Sequence, residues 1–156
     1  MTSSKALLRT LVGMALLGPC LSFAGLGAYE ESIENDRMKM RAFRAVSVTS
    51  QYAMHEIKSP DGSRVRQYVA PNGRVFAVTW NTQYKPDMNS LLGVSFDSYD
   101  AAAKEAGKRG GIQRNLRHET QDVYVQASSH LHIFSGFAYL KSLTPQGFNQ
   151  NTLSAE

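Results

Sequence analysis

The sequence predicts an α+β fold: an antiparallel β-meander with one amphipathic helix packed on the sheet, plus a further C-terminal hairpin. Three observations predict it. Two turn signatures, Ser59-Pro60-Asp61-Gly62 and Ala70-Pro71-Asn72-Gly73, stand eleven residues apart between strand-like runs. Proline followed by Asp or Asn and then Gly presets the corners of a tight turn. A helical apolar period follows, with Met88, Leu91, Leu92, Phe96, Tyr99, Ala103 and Ala106 on one face. Two runs rich in β-branched and aromatic residues, Val123–Ala127 and Leu131–Leu140, then return the chain to strands. Hairpins with a helix laid across them are the pattern of an α+β domain.

Residues 1–24 read as a secretory signal peptide. Lys5 and Arg9 precede the apolar run Leu11–Leu21, and Ser22-Phe23-Ala24 sets small residues where a signal peptidase needs them. Glycines, a proline and a serine interrupt Leu11–Ala28, which falls short of the roughly 20 apolar residues a bilayer span requires. Cys20 follows Pro19, a poor neighbour for a lipid-modified cysteine. Cleavage is therefore expected after Ala24, with Ala28 as the fallback, leaving no stable membrane span. It removes the only cysteine and takes Lys5 and Arg9 out of a formal charge of +4. Disulfides, thiolate metal sites and cysteine nucleophiles are thereby excluded from the mature chain. The small remaining charge gives little hold on a polyanion.

Residues 25–46 are expected to form an N-terminal helical arm. Glu30, Glu31, Glu34 and Asp36 come first and Arg37, Lys39, Arg41 and Arg44 last, as the helix dipole favours. Its apolar residues, Phe43 and Val46 among them, make no clean stripe. The α+β domain spans 47–143, with strands expected over Val48–Lys58, Arg64–Val69 and Val75–Trp80. Alternation places Phe76, Val78 and Trp80 on one face and Val75, Ala77 and Thr79 on the other. Pro86-Asp87 opens the helix and Gly107 stops it. Lys108-Arg109-Gly110-Gly111 is a basic loop, and Ser128, Ser129 and His130 turn between the last two strands. Residues 144–156 are a polar C-terminal tail expected to fray.

Several constellations could carry function. His130 and His132, two apart on an expected strand, would present both rings on one side and offer two ligands to zinc or copper, with His55 or His118 as a distant third. No carboxylate accompanies them at ligand spacing, and a polar strand edge accounts for the same pattern. Lys108, Arg109, Arg114, Arg117 and His118 could hold an anionic glycan or lipid head group, although a solvated loop explains them as well. The stretch lacks the interleaved aromatics of a nucleic-acid site. Tyr52, Tyr68, Phe76, Trp80 and Tyr84 could form a ligand platform. Most of them are expected in the core, and Trp80 and Tyr84 are kept as candidate contacts. Ser128 and Ser129 lack a nucleophile elbow, and Gly110-Gly111 lacks the lysine and helix of a phosphate cradle. No catalytic residue and no cofactor are expected.

The run Met54-His55-Glu56-Ile57, then Pro60-Asp61-Gly62, Arg66-Gln67-Tyr68-Val69 and the block from Pro71-Asn72-Gly73 to Val75-Phe76-Ala77-Val78-Thr79-Trp80, continues to Pro86-Asp87 and Leu91-Leu92-Gly93. Gly136-Phe137-Ala138-Tyr139 and Pro145-Gln146-Gly147 follow near the end. Over nearly the whole mature chain this resembles a proteobacterial family of exported proteins known as domain of unknown function 2844. The resemblance implies export and a single domain, and carries over no catalytic residue. The expected protein is a periplasmic or secreted, non-enzymatic binding module. It takes an envelope protein or peptide on an exposed sheet face or edge by strand addition. Two alternatives stand beside it: a small metal-dependent protein or hydrolase using His130 and His132, and a binder of anionic glycans or lipid head groups through the 108–118 stretch.

Overall fold

The computed structural model describes residues 25–108 and 114–154. Seven antiparallel strands form one sheet in the spatial order β1-β2-β3-β4-β7-β6-β5. They are β1 (Phe43–Val48), β2 (Ala53–Lys58), β3 (Arg64–Val69), β4 (Val75–Thr82), β5 (Asn115–Glu119), β6 (Val123–His130) and β7 (Ile133–Leu140). Helix α1 (Ile33–Lys39) precedes the sheet, α2 (Met88–Leu92) and α3 (Phe96–Lys108) lie between β4 and β5, and α4 (Asn151–Ser154) follows β7. This is the expected α+β meander with a C-terminal hairpin, widened by one strand at each edge.

Both proline turns sit where the sequence puts them. Gly62 and Gly73 adopt φ of +86° and +76°. Asp61 and Asn72 accept from the backbone N–H two residues on, that of Ser63 at 3.0 Å and of Arg74 at 3.1 Å. After Pro86, the Asp87 carboxylate caps α2 by accepting from the N–H groups of Asn89 and Ser90.

Elsewhere the structure corrects the sequence reading. The arm's helix stops at Lys39, and Phe43–Val48 is strand β1, because β-branched Val46 and Val48 pair across to β2. The single strand expected over Val48–Lys58 is the β1–β2 hairpin. Its turn has neither Gly nor Pro; the Thr49 hydroxyl builds it by accepting from Tyr52 N–H at 3.1 Å and donating to Tyr52 C=O at 2.9 Å. The helix after Pro86 is broken at Gly93, where φ is +51° and a Cβ would lie 2.8 Å from the Leu26 carbonyl oxygen. Leu91 and Leu92 are buried, whereas α3 has no buried residue, packs through Phe96 and Tyr99, and runs one residue past Gly107. The final turn falls at Leu131 and His132, both at positive φ, rather than at Ser128–His130. The described part of the tail packs on the sheet: Leu153 of α4 is buried, and Phe148 lies 4.9 Å from Phe76, ring to ring.

Two layers of side chains result. The inner face of the sheet, carrying Ile57, Val65, Val78, Trp80, Val125 and Ala138, packs against Leu26, Ile33, Leu91 and Leu92. The outer face holds an aromatic layer of Tyr52, Tyr68 and Phe76 under Phe148 and Leu153. Phe76 is on the outer face because Tyr68 pairs with Ala77 while Val69 pairs with Val75. It is the extra residue of a β-bulge, which shifts the alternation by one. Residues 25–29 form a strap across the inner face. Leu26 N–H donates to Leu91 C=O at 2.9 Å, Gly27 N–H to Val75 C=O at 2.8 Å, and Val75 N–H to Ala28 C=O at 2.8 Å.

Candidate functional site

The two edges of the sheet differ in chemistry. On β1 the exposed residues include Phe43 at 80%, Val46 at 52% and Val48 at 75% relative accessibility. On the opposite edge, β5 is five residues long and carries Arg117, His118 and Glu119, the charged, short form that blocks pairing with another chain. Thr49 N–H donates to Tyr52 C=O. By the alternation of an antiparallel ladder, the backbone groups of Phe43, Ala45 and Ser47 point to β2. Those of Arg44, Val46 and Val48 therefore point outward. β1 thus offers both backbone hydrogen-bonding groups and apolar side chains along an edge that, among the described residues, pairs with no further strand.

A run of buried polar groups beneath α1 fixes that edge. Arg44 donates to His55 Nδ1 from Nε at 3.0 Å and from Nη2 at 2.6 Å. A guanidinium has no lone pair to accept with, so Nδ1 is the acceptor and the ring proton sits on Nε2. Nε2 lies 3.2 Å from Glu30 Oε1, an electrostatic contact without the alignment of a hydrogen bond. Burial and the Arg44 charge push the His55 pKa down, against Glu30, which raises it. With Nδ1 engaged by a permanent cation, the ring cannot act as a general base. Arg44 also approaches Glu34 at 3.6 Å, and Glu34 lies 2.7 Å from Arg37. The hydrogen bond from Arg37 is the main cause holding the Glu34 carboxylate below its usual range. Opposite His55 in the β2–β3 register is Gln67, wholly buried, which donates to Asp36 Oδ2 at 2.7 Å.

Two perturbed carboxyls border one cavity: Asp87, held low by its hydrogen bonds from Ser90 and Asn89, and Asp36, which is shifted the other way. Burial pushes the Asp36 pKa up to about 6, with the Gln67 hydrogen bond pulling against it. The cavity is about 320 Å³ and is walled mainly by Met40, Val65, Tyr84, Pro86 and Leu91, with Lys39 and Lys85 also on its lining. A second cavity of about 310 Å³ lies against α3, lined by Tyr99, Ala103, Arg114, Leu116 and Phe134 among others. Neither brings a nucleophile, a base and an orienting group together.

The sequence-selected residues are scattered by the fold. His130 ends β6 and His132 lies in the turn, so the two rings do not share a strand face as expected. Among the described residues no group of three or more His, Cys, Asp or Glu is placed to hold a metal ion. Trp80 is buried in the core, against Gly136, where a Cβ would come within 2.5 Å of the indole. Tyr84 is exposed beside the first cavity. Lys108 ends α3 and donates to Glu105 at 3.1 Å, while Arg109 lies outside the described residues. Arg114 lines the α3 cavity, and Arg117 stands on β5 with its guanidinium 5.5 Å from the Tyr124 ring centre. Arg114 and Arg117 therefore line different cavities. The β1 edge was hidden in the sequence by the helical reading of 25–46. The lack of an apolar stripe there was the signal against it.

One antiparallel sheet with helices on its inner face, and no catalytic constellation among the described residues, defines a class of small α+β domains without defining an activity. The model of the family described as Protein of unknown function (DUF2844) matches residues 22–153, and the chain belongs to that family. No curated protein and no solved structure matches the chain. Among the described residues no helix is long and apolar enough to cross a membrane.

Proposed function

We propose that the protein is exported to the periplasm or beyond and works there as a non-enzymatic binding module. An extended segment of an envelope protein or peptide adds to the free edge of β1. The observation that carries this reading is the open β1 edge itself, apolar and unguarded where β5 is short and charged. Strand addition takes affinity from backbone hydrogen bonds and specificity from alternate side chains. Val46 and Val48 on one face, and Phe43 on the other, select an incoming strand with apolar residues on both faces. The Arg44–His55–Glu30 contacts hold the edge in place before the partner arrives, which lowers the ordering cost of binding.

The test uses a proline at an outward-facing position. Val46→Pro removes an N–H that bonds nothing within the sheet, whereas Ala45→Pro removes one that bonds β2. Extended peptides selected from a random displayed library are titrated calorimetrically against the wild type and Val46→Pro, each verified as folded by its melting curve. The expected result is a set of peptides of alternating pattern whose affinity falls about tenfold or more in Val46→Pro, the loss of one or two backbone hydrogen bonds. Peptides that bind the variant unchanged, or a library that yields none, would overturn the proposal.

A further inference from the structure

The outer face of the sheet has a second, separate surface. Beyond the aromatic layer capped by Phe148 and Leu153, a groove runs over β4, β7 and β6 beside α4. It has two lobes, of about 130 Å³ and 270 Å³, that share Gln126, Phe137 and Ser154. Register places Thr79, Ser135, Gln126 and Ser128 on this face, and four residues of β6 extend it by roughly 13 Å.

Its lining combines aromatic rings with amide and hydroxyl groups. Tyr124 stacks between Phe137 and Tyr139, at 5.7 Å and 5.3 Å and interplanar angles of 19° and 21°. Tyr124 is covered on both faces and Tyr139 is buried, so half-buried Phe137 is the ring left to meet the C–H face of a pyranose while the polar groups around it take the hydroxyls. Gln126 Oε1 accepts from the Tyr124 hydroxyl at 3.1 Å, which leaves its amide nitrogen as the donor for a ligand. Ser128 and Ser135 add hydroxyls to the first lobe. Arg64 lies at one end and Arg117 at the other, and among the described residues no Asp or Glu lines either lobe. Arg64 is 3.6 Å from Glu56, so Arg117 is the stronger candidate for an anion.

From this we infer that the groove binds an acidic polysaccharide, a chain of sugar rings bearing carboxylates. A peptide is disfavoured by the topology. β6 and β7 are paired on both sides, so the face offers no backbone edge to an extended peptide. Among the described residues, the basic 108–118 stretch contributes Arg117 to it. The groove does not involve β1, and its failure leaves the strand-addition reading standing.

The experiment is calorimetry of the full mature chain with three probes of matched length: alginate oligosaccharide, neutral dextran oligosaccharide and polyglutamate. Alginate is expected to bind, dextran at least about tenfold more weakly, and polyglutamate not measurably. Arg117→Ala and Gln126→Ala, both on the surface, are each expected to weaken alginate binding about tenfold. Lys104→Ala on α3 is expected to leave it unchanged. Phe137→Leu keeps an apolar side chain but loses the ring, and weaker alginate binding with an unaltered melting temperature would support stacking. Equal binding of polyglutamate, alginate affinity insensitive to Arg117→Ala and Gln126→Ala, or no alginate binding would each overturn the inference.

Discussion

Burial shifts Asp36 up and His55 down, and the two act on stability in opposite directions as pH falls. The Asp36 carboxyl, raised by burial to about 6, costs stability when ionised. The folded chain takes up its proton before the unfolded chain does, so this contribution improves as pH falls from about 6 to about 4. His55 is lowered by burial and Arg44, so the unfolded chain is protonated first and its contribution is lost as pH falls through about 6.5. Asp36→Asn keeps an acceptor for the Gln67 amide and removes the buried charge. It is expected to add about 1–3 kcal/mol at neutral pH and to leave a curve that declines steadily in acid, set by His55. Urea melts at a series of pH values measure both effects, and an unchanged profile would refute the assignment. Little of this was legible in the sequence. His55 was visible as a distant metal ligand and as part of a family run, but not in this role, because the role depends on Arg44 arriving from a strand that the local pattern had read as helix.

At the scale of elements, the strap of residues 25–29 joins the chain's beginning to its core. Leu26 is buried to 1% and bonds α2, while Gly27 and Ala28 extend the ladder beyond β4. Leu26→Ala is expected to cost about 2–4 kcal/mol, the range for a buried leucine, and a chain starting at Tyr29 is expected to lose at least as much. Denaturant melts of the two variants check this; near-wild-type midpoints would mean the strap is ornamental. The elements legible beforehand were those with local chemistry of their own: the Pro60 and Pro71 turns, the Asp87 cap, and strands β3, β4, β6 and β7. Those missed draw their signal from distant partners. The Thr49 turn relies on one hydroxyl, the Phe76 bulge appears only when β3 is laid beside β4, and α4 is fixed by an aromatic layer formed some seventy residues earlier. The candidate site was less legible still, since an open edge is defined by what does not pair with it.

For the molecule as a whole, the proposed export makes a prediction about the mature terminus. Cleavage after Ala24 retains Leu26 and the strap, and cleavage after Ala28 discards both. The intact mass of protein recovered from the envelope fraction is expected to correspond to a chain starting at Gly25. A mass starting at Tyr29 or retaining Met1 would contradict that maturation site. The strap covers the inner face and the Phe148–Leu153 segment covers part of the outer one, so the first and last described residues close opposite sides of a single sheet. β4 in turn pairs with β7 rather than with its successor in the chain. A polypeptide threaded outward from its N-terminus would expose β1–β4, with their aromatic layer and the inner edge of β4 uncovered, until nearly all of it had emerged. Such a chain cannot finish folding piecemeal, and its passage calls for something to shelter the leading half until the trailing half arrives.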